Sequence, residues 1–275
     1  MVLCRQVSVV LVLVCALLTA GWPAAAQVVV RPAKIEARVE DGSALPPIEV
    51  TNRGQAPVRV VVYTGLGGHD LDGSPVYRDD AWARSESSRI LRPAEDELYV
   101  APGTTVPLLA TVRVPEGFAG GLYPVIFLEL HPDGTQDAGS VRAVGRVAVV
   151  TLLSVGDAAP DMQAETVLVR PGQDAGTLEV AVRVRNDGDV HAVAGGSVTI
   201  SDGSGVAVAK IPLGAATVLP GHARELVAHW IPHAAALGPY VATVHLEEPS
   251  PLPPIQVAFM LEPAPAIAGA GGNRW

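Results

Sequence analysis

Gly139-Ser140-Val141-Arg142-Ala143-Val144-Gly145-Arg146-Val147-Ala148-Val149-Val150-Thr151-Leu152-Leu153-Ser154-Val155 is the longest strand-like run in the chain once its amino-terminal leader is set aside. Its odd positions, Val141 through Val147, Val149 and Leu153 to Val155, make an apolar face at period two. Arg142 and Arg146 fall on the other face beside Val144. That alternation predicts a β-strand covered on one side at first. From Val147 onward both faces are apolar, so the second half must lie inside a sandwich or beneath a second domain or a partner.

The leader is residues 1–26. Arg5 precedes an apolar run from Val7 to Ala20, and Ala24-Ala25-Ala26 supplies the small residues of an A-x-A cleavage site before Gln27. This reads as a secretory signal peptide, too short in its apolar core for a permanent membrane helix. Cys15 lies too early and follows Val14, which argues against a lipidated cysteine. Both cysteines, Cys4 and Cys15, fall in the leader, so an exported chain cut after Ala26 has no disulfide and no thiolate metal site. Its stability must come from packing. The remaining roughly 250 residues are the length of two ordinary domains. Acidic residues outnumber basic ones, 28 to 19, with a formal charge of −9. Nucleic acid is therefore an unsuitable ligand, because phosphate binding needs a basic face.

Aromatics make up 4% of the chain, while valine-rich runs broken by proline and glycine recur, the composition of short strands and turns. Val28-Val29-Val30-Arg31 is an edge-like strand stopped by Pro32, and residues 34–40 alternate up to an Asp41-Gly42 turn. Val50-Thr51-Asn52-Arg53-Gly54 ends a strand in an Asn-x-Gly turn, and residues 58–63 return. The second half repeats this skeleton. Val184-Arg185-Asn186-Asp187-Gly188 echoes Val50 to Gly54, Leu219-Pro220-Gly221 echoes Ala101-Pro102-Gly103, and Gly238-Pro239-Tyr240 echoes Gly121-Leu122-Tyr123. From the proline to the tyrosine is 21 residues in one copy and 20 in the other. The chain is thus expected to be all-β, a tandem of two immunoglobulin-like β-sandwich domains after the signal peptide. The domains are placed at 27–156 and 157–262, with a proline- and glycine-rich disordered tail at 263–275. Asparagine to proline takes 50 residues in the first copy and 34 in the second. The surplus falls in 65–98, a polar stretch of the kind in which binding loops occur.

Several of these residues carry a resemblance: Val50-Thr51-Asn52 after the opening strand, Ser88 to Pro93 with Leu98 and Pro102, Val112-Arg113-Val114-Pro115-Glu116-Gly117, Gly121-Leu122-Tyr123, and the run up to Val155. Over about residues 28–156 the chain resembles the amino-terminal domain of PapD-like periplasmic pilus chaperones and of WxL-interacting surface proteins. The resemblance implies that the long run is the domain's last strand and lends alternate side chains to an incomplete subunit. By position the partner-binding residues are Val144, Arg146, Ala148 and Val150. Two cleft cations would hold the subunit's terminal carboxylate: Arg31 or Lys34, together with Arg146. An edge strand with a dry face is in any case competent to add a strand from another chain.

Enzymatic constellations are thin: there is no G-x-S-x-G, no H-E-x-x-H and no phosphate loop. His229 and His233 stand four apart, but Pro232 between them argues for a strand and turn rather than a helical metal pair. Asp70-Leu71-Asp72-Gly73, with Asp79 and Asp80, lacks the closing glutamate of a calcium loop. Ser85, Ser87 and Ser88 lie in an expected loop or strand edge without a nearby histidine. Asp70, Asp72 and Trp82 mark the candidate loop site, and Tyr77, Tyr99 and Trp230 are further rings that could stack on sugar or pack in a core. The sequence therefore points to an exported, non-catalytic protein without cofactor or metal, periplasmic or extracellular and with no permanent membrane anchor. It would bind another envelope or surface protein, in a chaperone-like role. The alternative is a surface adhesin or glycan-binding protein.

Overall fold

Alternation decides which side chains face inward along each strand, and the valine-rich runs use it to close two separate cores. The computed structural model describes residues 28–132, 144–232 and 235–262. The leader, residues 139–143 of the quoted run, His233 and the tail lie outside the described residues.

The first sandwich opens with β1 (Val28–Arg31) and β2 (Lys34–Arg38), followed by β3 (Ile48–Asn52), β4 (Val58–His69) and β5 (Pro75–Arg78). After helix α1 (Ala81–Ile90) come β6 (Leu91–Pro93), β7 (Glu97–Val100), β8 (Thr105–Leu108), β9 (Ala110–Val112), β10 (Gly120–Leu122), β11 (Pro124–Pro132) and β12 (Gly145–Val155). One sheet joins β1, β3 and β8. The other runs β12, β11, β4, β5, with β10 and β2 also on β12 and β7 on β4. The second sandwich sets β13 (Met162–Pro171), β14 (Leu178–Asn186) and β17 (Ala223–Trp230) against β16 (Ala207–Val218), β15 (Ala192–Asp202), β18 (Gly238–Glu248) and β19 (Ile255–Leu261). The tandem of two immunoglobulin-like sandwiches is as expected from the sequence.

In the first core, Val58, Val60 and Val62 meet Ile126, Leu128, Val149 and Leu153 across from Ile48, Val50 and Leu108. In the second, Val180, Val182 and Val184 face Val198, Ile200 and Val244, with Trp230, Tyr240 and Phe259 in ring contact. Each fully buried branched side chain contributes about 1.5–3 kcal/mol relative to exposure.

The repeat is visible in hydrogen bonds as well as in spacing. Asn52 is buried and its Nδ2 donates to the carbonyls of Ala56 (2.7 Å) and Val100 (3.0 Å), while Oδ1 accepts from the Gly54 N–H. Asn186 does the same to Val190 (2.8 Å) and Val218 (3.1 Å), with Oδ1 accepting from Gly188. Each asparagine thus ties its strand end to its own turn and to the strand opposite. The tyrosine match, however, is off by one. Gly103 and Gly221 share φ 72°, and Gly120 and Gly238 share φ 146° at the same spacing, so Leu122 is the counterpart of Tyr240 and both are buried. Tyr123 is an addition to the pattern, facing outward where Tyr240 faces the core.

The serines of 85–88 stand on α1, not on the loop or strand edge expected for them. Asp80 caps the helix, its Oδ1 accepting from the Ala83 N–H at 3.0 Å, and Ala81 to Arg89 contains no β-branched residue. The buried Ser87 hydroxyl donates to Thr64 Oγ1 on the inward row of β4, so the helix seals the end of the first core.

Candidate strand-binding edge and the seam between the sandwiches

β12 is paired along its whole length on one side, by β11 and β10, but only partly on the other. β2 runs parallel to Val150–Ser154, beginning with the Val150 N–H donating to Ala33 O at 3.0 Å. Backbone N–H groups alternate sides along a strand, so those of Arg146 and Ala148 point the same way, beyond the end of β2. No strand among the described residues meets them. β1 is likewise an edge, paired only with β3. Because β1 passes through Pro32 directly into β2, the two open edges lie on one side of the sandwich. The half-buried Val28, Val30 and Val147 pack against the core between them.

Val147, Val149, Leu153 and Val155 face the core, and Arg146, Ala148, Val150 and Leu152 face outward. Val144 precedes the strand and is 48% exposed. Leu152 is buried although it faces outward, and with Val150 it lines a cleft shared with Thr217 and Leu219 of the second sandwich. This is the cover that the doubly apolar second half of the run required. Arg146 is engaged: it pairs with Asp79 at 2.7 Å and lies 4.7 Å over the Phe127 ring, which stacks on Tyr63. Lys34 stands beside the cleft and pairs with Glu36 at 2.8 Å, holding that carboxyl below its usual range; Arg31 is exposed at the end of β1.

The acidic loop divides among several tasks. Asp72 accepts from the backbone N–H and hydroxyl of Ser74, bonds that keep its carboxyl low, and the Asp70 backbone carbonyl turns the hairpin by accepting from Gly73 N–H. Asp79 serves Arg146 and Asp80 the helix cap, so the four aspartates do not converge. Among the described residues no group of three or more potential ligands is placed to hold a metal ion. His229 is exposed on β17. Trp82 is 55% exposed with Arg78 over its ring, Tyr77 leans edge-on against Phe127, Tyr99 is exposed on β7, and Trp230 belongs to the second core.

The surplus hairpin of β4 and β5 has a different use: it reaches the second sandwich. Leu71 O accepts from the Glu225 N–H (2.8 Å), and His69 Nε2 accepts from the Leu219 N–H (3.2 Å). His69 and His222 rings lie 5.1 Å apart. Gly73, at φ 89°, lies so close to the Arg224 guanidinium that a Cβ would collide with it. Farther along the seam, the Tyr123 hydroxyl accepts from the His191 N–H at 2.8 Å, Gly121 N–H donates to Asp189 O, and His191 Nε2 is 3.4 Å from Glu36. Burial pushes the Tyr123 phenol up to about 12. Sequence reasoning missed these residues; the one signal was the extra residue that set Tyr123 out of register with Tyr240.

No protein-family model matches the chain. No curated protein matches it. Solved structures match along most of its length. A chain in the chaperone and tip adhesion subunit pre-assembly complex CsuC–CsuE, from the archaic chaperone-usher Csu pili of Acinetobacter baumannii, is 13% identical, with 85% of this chain and 98% of that one covered and a TM-score of 0.43. The class 5 fimbriae chaperone CfaA gives 9% identity, 86% and 100% coverage and 0.46. The Salmonella enterica SafA pilin in complex with the SafB chaperone gives 9%, 86% and 97%, and 0.43. The likeness is one of fold. No helix among the described residues is long and apolar enough to cross a membrane.

Proposed function

We propose that the protein is an exported, non-catalytic module that takes an extended strand of another envelope or surface protein between β1 and the first half of β12, in a chaperone-like role in surface-structure assembly. The observation that carries this reading is the open side of the first sandwich. Two unpaired strand edges flank a row of half-buried valines, so an incoming strand gains main-chain hydrogen bonds and apolar burial together. Of the outward side chains named from the sequence, Ala148 lies on this edge and Val144 just before it, while Val150 is covered by β2 and the seam and Arg146 is committed to Asp79.

The test uses Ala148→Pro. It removes an N–H that faces the open edge and leaves the β11 ladder intact, as edge prolines do. The tagged chain is captured from its native envelope, and amide exchange is followed at Arg146 and Ala148. The expected result is a captured protein that slows exchange at these two amides and is lost with the folded Ala148→Pro variant. Capture of the same protein by the variant, or unchanged exchange, overturns the reading. The glycan-binding alternative is checked in parallel with Trp82→Ala and purified cell-wall glycan.

A further inference from the structure

We propose that the seam between the two sandwiches is a pH-sensitive latch whose sensor is His69, closed while its ring is neutral and opened by protonation. Two neighbours fix the ring's state. The Asp70 carbonyl, 3.1 Å from Nδ1, can only accept, so Nδ1 carries the proton. The Leu219 N–H, 3.2 Å from Nε2, can only donate, so Nε2 is bare. Adding a proton at Nε2 sets two donors against each other across the seam and removes the acceptor from Leu219, itself a buried residue.

The surroundings make that charge costly. The His222 ring faces His69 from the second sandwich, and Arg224 of β17 and Lys34 of β2 line the same cleft of about 230 Å³. The groups of opposite sign are Asp70, beside the ring, and Asp72, which is turned to Ser74 at the hairpin tip. Arg224 is already poorly served there. Its Nε is buried without a hydrogen-bond partner, and burial lowers its affinity for the proton.

His191, farther along the seam, responds differently. The Tyr123 hydroxyl accepts from the His191 backbone, leaving its own proton for His191 Nδ1 at 3.3 Å, and Nε2 faces Glu36. In the neutral ring Nε2 already carries the proton that faces Glu36; protonation at Nδ1 loses the tyrosine's proton but turns that contact into an ion pair, which Lys34 opposes. For His69 the compensation comes from Asp70 alone, against burial, Arg224 and His222, and protonation also costs the Leu219 bond, so His69 is the sensor.

Burial holds both rings below the ordinary imidazole value. The open seam consequently binds more protons than the closed one. The pH-dependent part of closure is fully present above about pH 6.5 and is lost as pH falls towards the lowered values, each depressed ring raising the open-to-closed ratio by up to about tenfold per pH unit in that window. Opening would separate the hairpin from Leu219 and Glu225 and uncover Val150 and Leu152.

The experiment titrates the isotope-labelled mature chain from pH 8 to 5, following the His69 ring nitrogens and the Leu219 amide by NMR and the radius of gyration by X-ray scattering. The expected result is one shared midpoint below 6.5 for all three. His69→Gln, whose side-chain oxygen can still accept from Leu219 but does not titrate, loses the transition, and His191→Gln keeps it. The proposal is overturned if the His69 ring titrates without the seam moving, or if His69→Gln opens with the same midpoint as the native chain. Should His69→Gln already be open at pH 8, co-titration of ring and seam in the native chain decides the matter.

Discussion

Replacing Asn186 with alanine removes four hydrogen bonds at once. Nδ2 donates to Val190 O and Val218 O, and Oδ1 accepts from Gly188 N–H and from Asp161 N–H at 3.1 Å. At about 1 kcal/mol net for each bond, the loss is about 4 kcal/mol. Asn52 makes three of the corresponding bonds, so Asn52→Ala should cost about 3 kcal/mol. Asn186→Asp sharpens the test. It keeps both acceptor bonds but turns a carboxylate towards two buried carbonyls, so it should destabilise at least as much as alanine at pH 7. Its folded-state pKa would be raised, and its penalty should therefore shrink as pH falls and the protonated acid donates to one carbonyl. The assay is urea unfolding of each variant, with amide exchange on β14 and β3 to tell which sandwich loosens. Asn186→Asp with native stability at pH 7, or a penalty that grows on acidification, would refute the assigned bonding.

Gly196 of β15 lies so close to β18 that a Cβ would collide with the backbone carbonyl of His245. Gly196→Ala should force the two strands apart at a cost of at least about 1–3 kcal/mol, read as a lower urea midpoint and faster exchange on β18. Asp80→Ala removes the cap of α1 and should cost about 1 kcal/mol, with faster exchange at Ala83 and no effect on the second sandwich.

Much of the architecture was written locally. Period-two alternation in Val58 to Val62 or Val180 to Val184 fixes which side chains are buried, whatever strand lies alongside. The Asn-x-Gly and Pro-Gly turns were legible for the same reason, since they depend on a few adjacent dihedrals and on one side chain bonding its own backbone. The helix was missed because the sequence reading places Ser85, Ser87 and Ser88 in a loop or strand edge. The cap that contradicted it, Asp80 before Ala81-Trp82-Ala83, was equally local and could have been weighed.

The candidate site was legible only in part. The quoted run announced itself as an edge-capable strand, and its doubly apolar second half announced a cover. Alternation, however, names faces and not neighbours. That β2 covers Val150 to Ser154 and stops short of Ala148 is a matter of pairing between residues more than 100 positions apart. Nor could charge alone show that Arg146 is held by Asp79, or that the surplus loop around Asp70 and Asp72 reaches the second sandwich through Leu71 and His69. The strands, their buried faces and the tandem repeat could be read from the chain alone, because they follow from local periodicity and turn chemistry. The open edge, the seam and the tautomer of His69 were decided by the tertiary structure, because each depends on which distant backbone group points at which edge.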